Sequence, residues 1–158
     1  LFSLPDIVQK RLQSIAPGEQ FELLEHNPVS NIESVWATLG IDGINMMKTM
    51  VYTDKKNPCK EIFCSIKGPD RIDFKKINTL FKGDFQSCDD ETLLSLKQER
   101  GAISPLTAPE GIEICVDESI FDIDIIFMGS GSPKISVILP TKFLLNIPGC
   151  KKINIKKE

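Results

Sequence analysis

Residues 44–52 read Ile44-Asn45-Met46-Met47-Lys48-Thr49-Met50-Val51-Tyr52. Apart from Lys48 the stretch is uncharged, and its apolar, β-branched and aromatic side chains are those of a buried strand. The polar turn Asp54-Lys55-Lys56-Asn57-Pro58 follows, and then a second apolar run. Two strands are therefore predicted at 44–53 and 61–67, joined through that turn. A charge inside such a strand is costly unless something outside the core receives it. Lys48 either escapes to solvent or points into a site that takes a cation.

Working outward, Pro5 suits the first turn of a helix running to Ala16. Leu4, Val8, Leu12 and Ile15 fall at helical spacing, and Ala16-Pro17-Gly18 ends the pattern. Residues 21–26 predict a strand stopped by Asn27-Pro28. Ser30 and Glu33 form a capping box for a second helix, with Ile32, Val35, Trp36 and Leu39 on one face and Gly40 closing it. Asp73 caps a further helix that turns Phe74, Ile77, Leu80 and Phe81 inward and leaves Lys75, Lys76 and Lys82 outward. Asp89-Asp90 start a short helix to about Gln98. Strands are predicted at 112–117, 124–128 and 134–139, a last helix at 141–147, and a short edge strand at 151–156. Strands and helices mixed in this order predict an α/β or α+β fold with a substantially antiparallel sheet.

At 158 residues the chain is one domain's length and buries a real core. Hydrophobic residues at 41% and charged residues at 26% are those of an ordinary globular protein. No apolar run approaches the ~20 residues of a membrane helix, and residues 1–6 lack the basic start and apolar core of a signal peptide. The five cysteines, at 59, 64, 88, 115 and 150, show no C-x-x-C spacing and read as reduced thiols in a reducing compartment, the cytoplasm. With His26 the sole histidine, a zinc site is poorly supported, and neither metal nor cofactor is expected.

The net charge of −3 hides an uneven distribution. Residues 48–82 carry nine Lys/Arg against four Asp/Glu, residues 83–127 carry two against eleven, and the tail 151–158 has a balance of +3. A basic section of this kind permits a polyanion to dock on one face, and equally suits a merely solvated surface.

Two glycine loops stand out, Gly101-Ala102-Ile103-Ser104-Pro105 and Gly129-Ser130-Gly131-Ser132-Pro133. Glycine permits close backbone approach to a ligand and proline stiffens a turn, although either loop alone can be a plain turn. Neither fits a Walker loop or a dinucleotide fingerprint. No G-x-S-x-G elbow is present. His26, before Asn27-Pro28, suits a structural hydrogen bond. Asp117, Glu118, Asp122 and Asp124 read as solvated loop ends rather than an acid/base pair.

Taken in order, these segments resemble one family. Residues 46–51 are similar to its v-v-K-T-L-v strand, and 71–77 to its r-v-D-l-K-K-l helix start. Residues 101–106 are similar to its G-x-x-x-P loop, 116–120 and 129–133 to its late strand and following turn, and 25–30 to its e-H-x-P-v-t segment. This is the YbaK family, the editing domains associated with prolyl-tRNA synthetase. The resemblance implies a compact mixed α/β domain over 20–158, with 1–19 as a helical extension. Its largely antiparallel sheet would be open or partly closed into a barrel, flanked by helices. It also implies hydrolysis of mischarged aminoacyl-tRNA, typically tRNA(Pro) carrying Cys, Ala, Ser or Thr. Partners would be the tRNA acceptor end and prolyl-tRNA synthetase, with no membrane. By resemblance Lys48 is the catalytic residue, and Gly101, Ala102, Ile103, Ser104, Pro105, Gly129, Ser130 and Gly131 line the substrate pocket. The alternative is a non-catalytic module of the same fold that binds tRNA or a synthetase.

Overall fold

A computed structural model describes residues 6–27 and 45–158. The helix expected from Ser30 to Gly40 lies outside the described residues. Helix α1 (Asp6–Ile15) buries Val8, Leu12 and Ile15, the i, i+4, i+7 positions of one face. It ends before Pro17-Gly18, where Gly18 takes a positive φ of 67°. Although the sequence set this segment apart as an extension, its apolar face enters the main core of the domain.

Among the described residues eight strands form two sheets: β1 (Glu22–Glu25), β2 (Met47–Asp54), β3 (Asn57–Lys67), β4 (Phe85–Ser87), β5 (Glu113–Asp117), β6 (Ile125–Gly129), β7 (Ile135–Pro140) and β8 (Cys150–Ile153). A three-stranded antiparallel sheet has the order β1-β7-β6. A five-stranded sheet has the order β4-β2-β3-β5-β8, antiparallel at β4-β2-β3 and parallel at β3-β5-β8. The fold is thus mixed α/β with largely antiparallel pairing, and the described residues form no closed barrel. No helix among the described residues is long and apolar enough to cross a membrane.

Strand β3 explains the layering. Its residues 62–66 are buried without interruption, as expected of a strand covered on both faces. Side chains alternate across the sheet. Phe63 joins Met47, Val51, Ile114, Met128 and Leu139 in the main core. Ile62, Cys64 and Ile66 join Tyr52 and Cys115 in a second core, under helix α2 (Phe74–Phe81).

The turn between β2 and β3 is tighter than the sequence suggested. Only Lys55-Lys56 turn, and Asn57 already pairs with Asp54 across a register shift. The shift leaves Pro58 without a register partner, where its missing N–H costs nothing. Asp54 is buried rather than solvated, its Oδ1 accepting the N–H groups of Lys56 at 2.9 Å and Asp84 at 3.0 Å.

Asp73 does cap α2, accepting Lys75 N–H at 3.0 Å. Only Ile77 is fully inside, while Phe74 is 38% and Leu80 48% exposed. Two of the four residues expected inward therefore remain at the surface. Asp89 caps helix α3 (Asp90–Ser95) through Thr92 N–H at 2.7 Å. This helix stops short of Gln98, since Lys97 enters the left-handed region at φ 58°. The predicted last helix is a 3-10 turn, Thr141–Asn146. The free thiols are Cys59, Cys64, Cys88, Cys115 and Cys150.

Asp117 departs furthest from its sequence reading. It is fully buried at the end of β5. Its Oδ1 accepts the N–H groups of Ile155 at 2.8 Å and Lys156 at 2.9 Å, and Oδ2 accepts the backbone N–H and hydroxyl of Ser119. Burial pushes its pKa up, but the hydrogen bonds from Ser119, Ile155 and Lys156 together hold it below 3.8. The stability this supplies is full above the unfolded value and is lost as pH falls through the depressed folded one. Asp117→Asn turns an amide group onto donors and should cost about 2–4 kcal/mol at pH 7. Urea unfolding at pH 7 and pH 3 is the check: the difference between the two proteins should shrink at the lower pH.

Candidate functional site

The first glycine loop is built from inside. Gly101 takes a φ of 83°, and Ala102 N–H donates to Glu99 O at 2.9 Å. Ser104 is buried, and its hydroxyl accepts Leu106 N–H at 3.1 Å, capping the 3-10 turn Pro105–Thr107. The Thr107 hydroxyl donates within 2.9 Å of both Ser104 O and Gln98 Oε1. Buried Gln98 returns an amide hydrogen bond to Thr107 O at 3.1 Å. Pro105 is buried, whereas Ile103 packs partly buried against the main core. The loop's shape is thus held by its own polar side chains.

The second loop rests on the first. Gly131 takes a φ of 90° and donates its N–H to Ala102 O at 3.0 Å. A Cβ at Gly129 would meet Ile103 O at 3.0 Å and Ala102 O at 3.3 Å. These are backbone atoms, so a side chain here would require the backbone to give by a few tenths of an ångström. Ser130 is fully buried, and its hydroxyl donates to Ile135 O and accepts Ser132 N–H at 3.2 Å. Ser104 and Ser130 therefore shape the loops from within.

Lys48 stands on a strand that meets this region by another route, while among the described residues the depression it lines includes none from either loop. The start of β2 touches β6 through a parallel bridge between Met46 and Phe127. Two residues further along each strand lie Lys48 and Gly129. The bridge thus connects Lys48's strand to the second loop, which in turn rests on the first. Strand alternation places Lys48 on the face of Met50 and Tyr52. Thr49 points the other way, its hydroxyl 2.7 Å from that of buried Ser65. Lys48 itself is half-buried and engaged. With Met50, Tyr52 and Ile66 it lines one side of a depression of about 400 Å³. Arg71, Phe74 and Lys157 form the other side. Sequence reasoning did not assign these last three to the site. Their signals were Arg71 at the head of the helix motif and the basic tail.

Other chemistry has less to work with. His26 has partners on both ring nitrogens, Asn27 O and Ser136 Oγ, each at 2.8 Å. A hydrogen bond with Cys115, and burial, push the Cys64 thiol far up, and burial pushes Cys150 up to about 12. Burial likewise raises Cys88. These three are neutral thiols near pH 7, and so poor nucleophiles. Burial, with Cys64 nearby, also raises Tyr52, which stays a neutral phenol beside Lys48. No group of three His, Cys, Asp or Glu among the described residues is placed to hold a metal ion.

The chain matches the family model of the aminoacyl-tRNA editing domain over residues 26–147. Its fold is shared with solved structures of low identity. One is a candidate trans-editing enzyme for prolyl tRNA synthetase, at 18% identity and TM-score 0.82, covering 99% of this chain and 100% of that one. Another is the hypothetical protein APE2540, at 17% identity and TM-score 0.85, covering 96% and 100%.

The contact between the loops can be tested directly. Gly129→Ala should cost about 1–3 kcal/mol, because the added methyl must push backbone aside. Amide chemical shifts should move at Ala102, Ile103 and Gly131. Unchanged shifts there would contradict the contact.

Proposed function

The chain belongs to the aminoacyl-tRNA editing domain family, and on that premise we propose that it is a trans-editing deacylase. Its substrate is tRNA(Pro) mischarged with a small amino acid: Cys, Ala, Ser or Thr. The observation that carries the reading is the family match, and the bridge of Lys48's strand to β6 and the contact between the two glycine loops support it.

The chemistry asks little of a protein nucleophile. An aminoacyl ester is already activated, so its hydrolysis needs positioning and stabilisation of the developing oxyanion. The ammonium of Lys48 holds the phosphate or ribose of the terminal adenosine. Backbone N–H groups of the 101–104 loop other than that of Ala102, which Glu99 O already takes, receive the ester carbonyl oxygen. Water attacks the carbonyl carbon, assisted by the neighbouring ribose hydroxyl. The acyl–oxygen bond then breaks, the ribose oxygen takes up a proton, and the free amino acid leaves. The backbone of both loops, supported by buried Ser104 and Ser130, forms the floor on which a small side chain is accepted and a larger one rejected. One methylene is worth only about 1–3 kcal/mol to a synthetic site, so separate removal of such errors has a clear use. The protein works in the cytoplasm alongside prolyl-tRNA synthetase, and its reaction requires no cofactor.

Lys48→Ala should lower deacylation by about 100-fold or more while leaving the unfolding midpoint close to that of the unaltered protein. The check is a hydrolysis panel on tRNA(Pro) carrying Cys, Ala, Ser or Thr. If the folded, unaltered protein releases none of these amino acids, the proposed activity is wrong.

A further inference from the structure

The depression beside Lys48 has a second wall that the deacylation chemistry does not use. Among the described residues three cations, Lys48, Arg71 and Lys157, line it, and no carboxylate does. The carboxylates of the flanking segments face elsewhere. Asp73 caps α2, Asp70 lies 4.0 Å from Lys156, and Glu158 lies 3.3 Å from Lys76. Among the described residues no ion pair within 4 Å engages Arg71 or Lys157.

Backbone bonds hold these two cations near each other. Lys157 N–H donates to Arg71 O at 2.7 Å, Asp73 N–H donates to Ile155 O at 2.9 Å, and Ile72 bridges Lys156. The aromatic part of the wall is Phe74. Tyr52 meets it edge-to-face at 4.9 Å and 72°, and Phe74 remains 38% exposed. Cations for a phosphate beside a braced aromatic ring for a base are the combination that binds single-stranded nucleic acid. The volume, about 400 Å³, holds one nucleotide.

We propose that this depression seats one nucleotide of the single-stranded 3′ end of the tRNA. Arg71 and Lys157 take its phosphate, and Phe74, steadied by Tyr52, stacks on its base. The inference rests on the deacylase reading and extends it. The seat anchors the acceptor end so that the terminal ester reaches Lys48 and the glycine loops. It also gives the basic tail a task, since Lys157 closes the depression.

The test is equilibrium binding of uncharged tRNA(Pro), and of the same tRNA lacking its CCA end, over a series of salt concentrations. Arg71→Gln and Lys157→Gln should each weaken binding of the intact tRNA about fivefold and reduce the slope of log K against log salt by about 0.7. Phe74→Leu keeps an apolar contact with Tyr52 and should weaken binding about tenfold with the slope unchanged. None of the three should alter binding of the shortened tRNA. The altered side chains are exposed and the tail bond is a backbone bond, so the fold survives each change. The proposal is overturned if the variants bind intact tRNA as the unaltered protein does, or lose equally on the shortened tRNA. It is also overturned if the unaltered protein does not distinguish the two tRNAs. Binding needs no hydrolysis, so failure of the deacylase reading and failure of this seat are separate results.

Discussion

A buried carboxylate fastens the C-terminal tail to the sheet, and the surface around Lys48 depends on it. Asp117 ends β5 and receives the N–H groups of Ile155 and Lys156. So anchored, the tail takes the N–H of Asp73 on Ile155 O and donates from Lys157 to Arg71 O. Asp73 in turn begins α2. One charged group therefore positions Arg71, Phe74 and Lys157 together. An ionised carboxylate without partners would be too costly in that place, and its four donors are what make the arrangement stable.

The second constraint is the close approach of the two glycine loops. Gly129 lies so near the carbonyls of Ala102 and Ile103 that a side chain would separate them. Gly131 N–H then secures the contact on Ala102 O. Buried hydroxyls of Ser104 and Ser130 satisfy the backbone groups that such tight turns would otherwise leave unpaired. Rigid backbone, more than any reactive side chain, is what these loops provide, and this suits a reaction that needs an already activated ester held in place.

Much of the fold was legible because local rules decided it. Val8, Leu12 and Ile15 form a helical stripe and are all buried. Asp73 and Asp89 look like caps and are caps. The alternation in 47–54 places Lys48 with Met50 and Tyr52. The misses have a common cause. Strand β4 is only three residues long, too short to show a period. Asp54 and Asp117 look solvated because they sit among polar residues, yet distant backbone N–H groups draw them inside. Leu80 looks inward by spacing, yet it stays 48% exposed.

The amino-acid sequence by itself determined most of the elements among the described residues, the mixed α/β class and the family resemblance, which the family match bears out. Periodicity, capping chemistry and glycine's freedom act over a few residues, so they can be recognised along the chain. Only the tertiary structure decided which motifs meet. It set Gly129 against Ala102 and Ile103, bridged the strand of Lys48 to β6 at Met46, and brought Lys157 to Arg71 from the far end of the chain. Those pairings depend on sheet order and on a buried carboxylate with remote donors, and neither leaves a local pattern in the sequence.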